Sequence, residues 1–286
     1  MPMLTEIAYA KINLALHVRN RRADGYHELE TLFAFAEEGD LLVAEEADGL
    51  ELSIDGPFGK GLSAGQDNII MKAVATLRKR AGVRQGARLR LTKNLPVAAG
   101  LGGGSADAAA ALRLLQQLWN LGLTGNELLY LAGCFDPVNP LGADIPACFA
   151  SQTSRGEGIG DELQYLGNGL SGTPLLLVNP RIAVSTASIF NAWDGIDRGR
   201  LAEGADIPDL SQNSRNDLTP MALAIAPEIA AVLAELQALT ETSLVRMSGS
   251  GATCFALFDN ESARDRGADV VKRANPDWWT MLSKLR

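Results

Sequence analysis

The chain has 286 residues, 47% hydrophobic and 21% charged. That is enough apolar material for a sizeable core, and it excludes a mainly disordered chain. With 26 basic and 34 acidic residues the net charge is −8, which argues against a general nucleic-acid or anionic-membrane binder and means any anionic ligand must be attracted locally.

The length predicts two domains or one large one. Cys134, Cys148 and Cys254 form no Cys-x-x-Cys pair, and His17 and His27 are the only histidines. A structural zinc site is therefore not expected, and the sparse thiols fit a reducing compartment. No charged-then-apolar leader opens the chain and no apolar run reaches membrane-spanning length, so a cytoplasmic protein is expected.

Ala8 to Val18 alternates strictly, with Lys11, Asn13 and His17 on the polar side, which predicts a half-buried strand. Asp24-Gly25 predicts a turn. Leu32–Phe35 and Asp40–Ala44 predict two strands, and Asp55–Gly65 a loop. Asn68–Ala81 predicts a helix, closed by Gly82, and Ala87–Leu91 a strand. After the glycine-rich Pro96–Ser105, a helix runs to about Trp119 with Ala108, Leu112, Leu115 and Trp119 as its buried stripe. Thr124 and Glu127 form a capping box. Asp136–Pro146 reads as a loop, and Ser151–Gly172, poor in pattern, as a domain boundary. Beyond it come a strand at Pro174–Asn179, a helix at Thr186–Trp193 and a polar loop at Arg198–Arg215. Helices follow at Asp217–Ile225 and Pro227–Leu239, then strands at Leu244–Met247 and Thr253–Phe258 joined by Ser248-Gly249-Ser250-Gly251, and a helix from Glu261. Mixed strands and helices in both halves predict an α+β fold.

The segment from Pro96 to Ala106 carries the most chemistry. Its glycines let successive N–H groups turn toward an anion, and the helix start adds unpaired N–H groups and partial positive charge. Ser105 reads as a helix cap or as a contact to a metal or phosphate. No Gly-Lys-Ser/Thr follows, so this is not a Walker loop, and Ser105 stands where a dinucleotide fingerprint needs glycine.

Pro96-x-x-x-Gly100-Leu101-Gly102-Gly103-Gly104-Ser105-Ala106 resembles the ATP signature of the GHMP kinases. Ala10-Lys11-Ile12-Asn13-Leu14, Arg22-Ala23-Asp24-Gly25-Tyr26-His27-Glu28, Gly142-Ala143-Asp144-Ile145-Pro146, Asn216-Asp217-Leu218 and Met247–Ala252 resemble further motifs, in the order found in one branch of that family. That branch phosphorylates a cytidine-diphospho sugar alcohol used in isoprenoid synthesis. The resemblance implies a two-domain GHMP kinase fold, divided at 1–155 and 156–286, with the active site in the interdomain cleft. It implies ATP and Mg²⁺ as cofactors and a small-molecule acceptor, with neither nucleic acid nor membrane as partner.

By the same resemblance, Lys11 and Asp144 are catalytic. Asn68 and the run Pro96, Val97, Ala98, Ala99, Gly100, Leu101, Gly102, Gly103, Gly104, Ser105 and Ala106 bind ATP. Asn13, Tyr26, His27, Thr186 and Phe190 bind the acceptor. Read locally, Lys11 is a solvent-exposed strand lysine, Asp144 an N-cap or turn aspartate and Asn68 an N-cap. Tyr26 is a hairpin-flanking aromatic, His27 a solvated histidine and Phe190 a core residue, and Gly249–Gly251 is a hairpin loop or a second turn against the substrate. Asp107 either caps the helix or sees magnesium through water.

Overall fold

The computed structural model describes residues 3–135, 141–202, 209 and 213–286. Parts of the expected loops at Asp136–Pro146 and Arg198–Arg215 lie outside the described residues. The chain forms two compact units, each built from separated stretches. One comprises Met1–Ala10, Glu38–Leu95 and Gly102–Ala150; the other comprises Lys11–Glu37, Pro96–Leu101 and Ser151–Arg286. Two long paired strands, β1 (Leu4–Arg21) and β2 (His27–Ala47), contribute residues to both.

These strands correct two expectations. From Ala10 to Val18, β1 is buried on nearly both faces, because its polar side chains are covered by protein groups rather than water. The two strands expected at 32–35 and 40–44 are one 21-residue strand. Polar Glu37 and Glu38 hide this continuity in the sequence, but backbone pairing needs no apolar side chain. Gly39 comes so close to β1 that a Cβ there would lie 1.9 Å from the Ala8 carbonyl oxygen.

In the first unit, β3 (Leu50–Asp55) pairs parallel with β4 (Gly86–Thr92), and β4 pairs antiparallel with Leu41–Ala47 of β2. Strand β3 was not expected; only Leu50, Leu52 and Ile54 alternate there with polar Glu51, Ser53 and Asp55. Four helices complete the unit: α1 (Ile69–Arg80), α2 (Gly103–Leu118), α3 (Gly125–Leu131) and α4 (Ile145–Ala150). Helix α2 packs against α1 and α4, and its buried run Ala108–Ala111 suits such close approach. Arg113 on α2 donates to Glu6 Oε1 at 2.8 Å and to the carbonyls of Cys148 and Phe149 at 2.9 and 3.0 Å, satisfying the C-terminal end of α4. The expected capping box of Thr124 and Glu127 opens α3.

In the second unit an antiparallel sheet runs in the order β10-β7-β9-β8, from β7 (Pro174–Asn179), β8 (Thr242–Met247), β9 (Cys254–Phe258) and β10 (Trp279–Lys284). Helices α5 (Thr186–Asn191), α6 (Thr219–Ile225), α7 (Glu228–Gln237) and α8 (Glu261–Ala274) accompany it. Leu176, Val178, Ile189, Ile229, Val232 and Phe258 share its core. The stretch expected to be a patternless boundary holds a hairpin, β5 (Ser154–Glu157) and β6 (Glu162–Tyr165), with β5 paired to Thr31–Phe33. Four-residue strands are too short to show alternation. Strand β10 also escaped the sequence reading.

Candidate active site

The glycine-rich segment leads from β4 into α2. Gly102 occupies the N-cap position of α2 with φ +60° and no side-chain capping bond. Ser105, expected as a possible cap, is instead inside the first turn. The positive φ at the cap favours glycine, which brings no hydroxyl to the helix start. The first-turn N–H groups are thus left for solvent or an anion.

The preceding stretch is held by its carbonyls. Ala98 O accepts from Val184 N–H at 3.2 Å, Ala99 O from Thr253 N–H at 3.1 Å, and Leu101 O from Lys11 N–H at 3.0 Å. Gly100 O accepts from Ser248 Oγ at 2.8 Å. Four successive carbonyls are therefore engaged with protein donors, and these oxygens are the backbone groups that would repel a phosphate. Gly100 has φ +76°, and a Cβ there would lie 2.2 Å from Ser248 O. The turn Ser248–Gly251, one of whose expected roles was to face substrate, is the hairpin between β8 and β9 and braces this stretch. Asn216 braces the turn in its own right, donating to Met247 O at 2.9 Å and Gly249 O at 2.7 Å. Asp217 accepts from Val18 N–H at 2.9 Å and from Arg215 at 2.7 Å. Sequence reading flagged the Asn216-Asp217-Leu218 motif but not this work, because its partners lie far away in the chain.

Asn68 is the N-cap of α1, its Oδ1 accepting from Ile70 N–H at 2.9 Å. Val97 is exposed, whereas Ala99, Leu101 and Ala106 bury their side chains and offer only backbone to a ligand.

Beneath the start of α2 lies a buried charge cluster. Lys93 Nζ stands 2.5 Å from Asp40 Oδ2 and 2.5 Å from Asp107 Oδ2, with side chains 4%, 0% and 5% exposed. The other Asp40 oxygen accepts from the N–H groups of Asn94 and Leu95 at 2.6 and 2.8 Å. Among the described residues, Asp107 Oδ1 is buried without a partner. Burial pushes the Asp107 carboxyl up to about 7, with Lys93 opposing and Asp40 adding to the rise. Asp107 is therefore neither a helix cap nor turned toward solvent: it lies in the second turn of α2 and faces an ammonium. Among the described residues, no group of three or more His, Cys, Asp or Glu side chains is placed to hold a metal ion.

Lys11 is only 4% exposed, which overturns the reading of a solvated strand lysine. Its Nζ donates to Asn13 Oδ1 at 3.0 Å and lies 5.0 Å from the Phe33 ring centroid. Asn13 Nδ2 donates to Thr31 Oγ1 at 2.8 Å, which fixes the amide and so presents its oxygen to Lys11. Asp144 directly precedes α4, its carbonyl accepting from Cys148 N–H at 2.9 Å. Lys11 and Asp144 belong to different units.

The turn at Asp24-Gly25 forms as expected, with Gly25 at φ +89° and Tyr26 N–H donating to Asp24 Oδ1 at 3.0 Å. Tyr26 is 44% exposed. His27 is buried rather than solvated; its ring lies 5.2 Å from that of Phe190 and 5.7 Å, edge-on, from Trp193. Burial, then the nearby Arg21 charge, hold its pKa below 6.5, so it is neutral at pH 7. Trp193 drew no notice in the sequence, having only a helical position to mark it. Thr186 Oγ1 lies 3.0 Å from Ser250 Oγ.

Gly104 gives a clean test of the segment. A Cβ there would meet only Ile69 Cγ2, at 3.7 Å, whereas at Gly103 it would press on Lys93 Nζ at 3.0 Å. Gly104→Ala is expected to stabilise the free protein by about 0.5–1 kcal/mol, because alanine favours the helix. If phosphates sit on this turn, the same methyl weakens ATP binding by about tenfold, or ~1.4 kcal/mol. Calorimetric ATP titration beside thermal melts separates the two effects, and an ATP affinity within twofold of normal would remove Gly104 from the cradle.

Comparison with known proteins gives the family. The N-terminal domain model of the GHMP kinases matches residues 68–152 and the C-terminal model matches 194–277. A protein of Rhizorhabdus wittichii named 4-diphosphocytidyl-2-C-methyl-D-erythritol kinase is 49% identical, with 99% of this chain and 94% of that protein covered. One of the same name from Sphingopyxis alaskensis is 50% identical, with 99% of each covered. A crystal structure of 4-(cytidine 5'-diphospho)-2C-methyl-D-erythritol kinase matches with TM-score 0.80 and 33% identity over 99% of both chains. Homoserine kinase from Cytophaga hutchinsonii, at TM-score 0.69 and 16% identity over 97% of this chain and 95% of that one, shares the fold alone. With both domain models matched in order and relatives at about half identity along the whole length, the chain belongs to the GHMP kinase family.

Proposed function

We propose that this chain transfers the γ-phosphoryl group of ATP to the 2-hydroxyl of 4-diphosphocytidyl-2-C-methyl-D-erythritol, a step of the non-mevalonate route to isoprenoid precursors. The observation that carries the reading is whole-length similarity, at 49–50% identity, to proteins bearing that kinase's name. Kinases of this family use ATP. The segment from Pro96 to Ala106, with Asn68, is proposed to hold it. Engaged carbonyls and uncapped helix N–H groups support this, since such a backbone favours phosphate oxygens.

Asp144 is the proposed base that takes the proton from the acceptor hydroxyl, and Lys11 the cation that favours its ionised form. Mg²⁺ would be carried mainly by the ATP phosphates, as this ion commonly is, and would neutralise their charge. Asn13, Tyr26, His27, Thr186 and Phe190 are proposed to hold the acceptor. A neutral His27 beside Phe190 supports this, because a cytosine needs aromatic faces and neutral hydrogen-bonding edges. The proposed division remains 1–155 and 156–286, and the proposed location is the cytoplasm; no described helix is long and apolar enough to cross a membrane.

The test is phosphorylation of a panel of acceptors: the cytidine-diphospho sugar alcohol, homoserine and mevalonate. The first alone is expected to turn over efficiently, and preference for either of the others would overturn the assignment. Within the same assay, Tyr26→Ala and Phe190→Ala are each expected to raise the acceptor's Kd roughly 5- to 150-fold, matching about 1–3 kcal/mol of base stacking, with ATP affinity little changed. Equal losses for both ligands would mark a packing defect instead.

A further inference from the structure

We propose that Lys93 is a positioning residue for nucleotide binding, acting through Asp107 as a staple that closes the glycine-rich segment at its base. The proposal rests on the reading that this segment holds ATP. Lys93 follows the last residue of β4, Thr92, and Asp107 stands in the second turn of α2. One ammonium therefore joins the two ends of the stretch between them, through a 2.5 Å contact. The same ammonium reaches Asp40 Oδ2 at 2.5 Å, while Asp40 Oδ1 takes the N–H groups of Asn94 and Leu95, the first two residues of the stretch.

Pinning both ends of a flexible stretch removes closure entropy that ligand binding would otherwise have to overcome. Glycines make that stretch unusually free in the absence of such a pin. The geometry also shows why Lys93 acts indirectly. Its charge is buried and engaged by two carboxylates, unlike a lysine that reaches out to phosphates. Gly103 makes room for it, since a Cβ at that position would lie 3.0 Å from Nζ. Glycine in the first turn of the helix thus lets the ammonium pack directly beneath the helix start.

The experiment compares Asp107→Ala with Asp107→Asn by steady-state kinetics with each substrate varied. Alanine removes the oxygen that holds Nζ; asparagine keeps one. The expected result for Asp107→Ala is a KM for ATP raised at least tenfold, a KM for the acceptor within twofold and a kcat changed less than the ATP KM. Asp107→Asn is expected to bring the ATP KM back to within threefold of wild type. Should the alanine variant fail to fold, Asp107→Ser, too short to reach Nζ, replaces it under the same criteria. An unchanged ATP KM, equal losses for both substrates, or no rescue by asparagine would each overturn the staple. Gly104→Ala run alongside distinguishes the failures. If it weakens ATP binding while Asp107→Ala does not, the staple alone falls. If neither variant affects ATP, the ATP reading of the segment falls and the staple's role with it.

Discussion

Asp144→Asn is expected to lower turnover by about 10²–10⁴-fold while ATP and acceptor still bind, as loss of a general base does. Asp144 stands directly before α4, with its carbonyl accepting from Cys148 N–H at 2.9 Å. Asparagine caps a helix as well as aspartate. If capping were its whole task, the variant would work almost normally, so the substitution separates the two roles. Lys11→Met should also slow the reaction. Its methylene stem is buried, and the neutral side chain keeps the shape while losing the bond to Asn13. The double variant should lose less than the product of the single losses, because residues acting as a unit are non-additive. Single-turnover phosphoryl transfer at saturating ATP and acceptor measures all three. A near-normal rate for Asp144→Asn would sink the assignment of the base and leave the ATP site standing.

Lys93→Met is expected to damage the fold more than the other substitutions proposed here. It strands Asp40 and Asp107, two buried carboxylates, without their shared cation. Breaking a buried pair in this way costs about 3–5 kcal/mol, and the melting temperature should fall by roughly 6–20 °C. The loss should depend on pH. The folded chain holds the Asp107 proton more tightly than the unfolded one, whose aspartates titrate near about 3.9. The stability contributed by that proton is thus present in full below about pH 4 and lost as pH rises through about 7. Removing Lys93 takes away the group that opposes this rise, so the destabilisation should be smaller at pH 5 than at pH 8. Denaturant unfolding at both values checks it. A loss below about 1 kcal/mol at pH 8 would show that the cluster relaxes or admits water.

Much was legible in the sequence because the relevant physics is local. Asn68 and the Thr124–Glu127 box declare helix starts by hydrogen bonds spanning two or three residues. The stripe of α2 follows from helical period, and the passage of the glycines from a strand into a helix from the patterns on either side of them. The GHMP kinase family was legible too, since its motifs survive as short words in a fixed order.

What only the tertiary structure decided depends on residues far apart in the chain. Lys11 and His17 look solvated along β1, yet both are buried, because the neighbours that cover them come from elsewhere in the chain. Asp107 looked like a helix-end residue until Lys93, 14 positions away, and Asp40, a further 53 positions from Lys93, enclosed it. Ser248 looked like part of a turn, and its bond to Gly100 spans 148 residues. The β5–β6 hairpin and β10 were invisible because short or irregular strands draw their stability from partners rather than from their own pattern. Local propensity and periodicity select the elements; which polar groups lose their water, and what replaces it, is settled only when distant segments pack, because desolvation is a property of the surroundings and not of the residue.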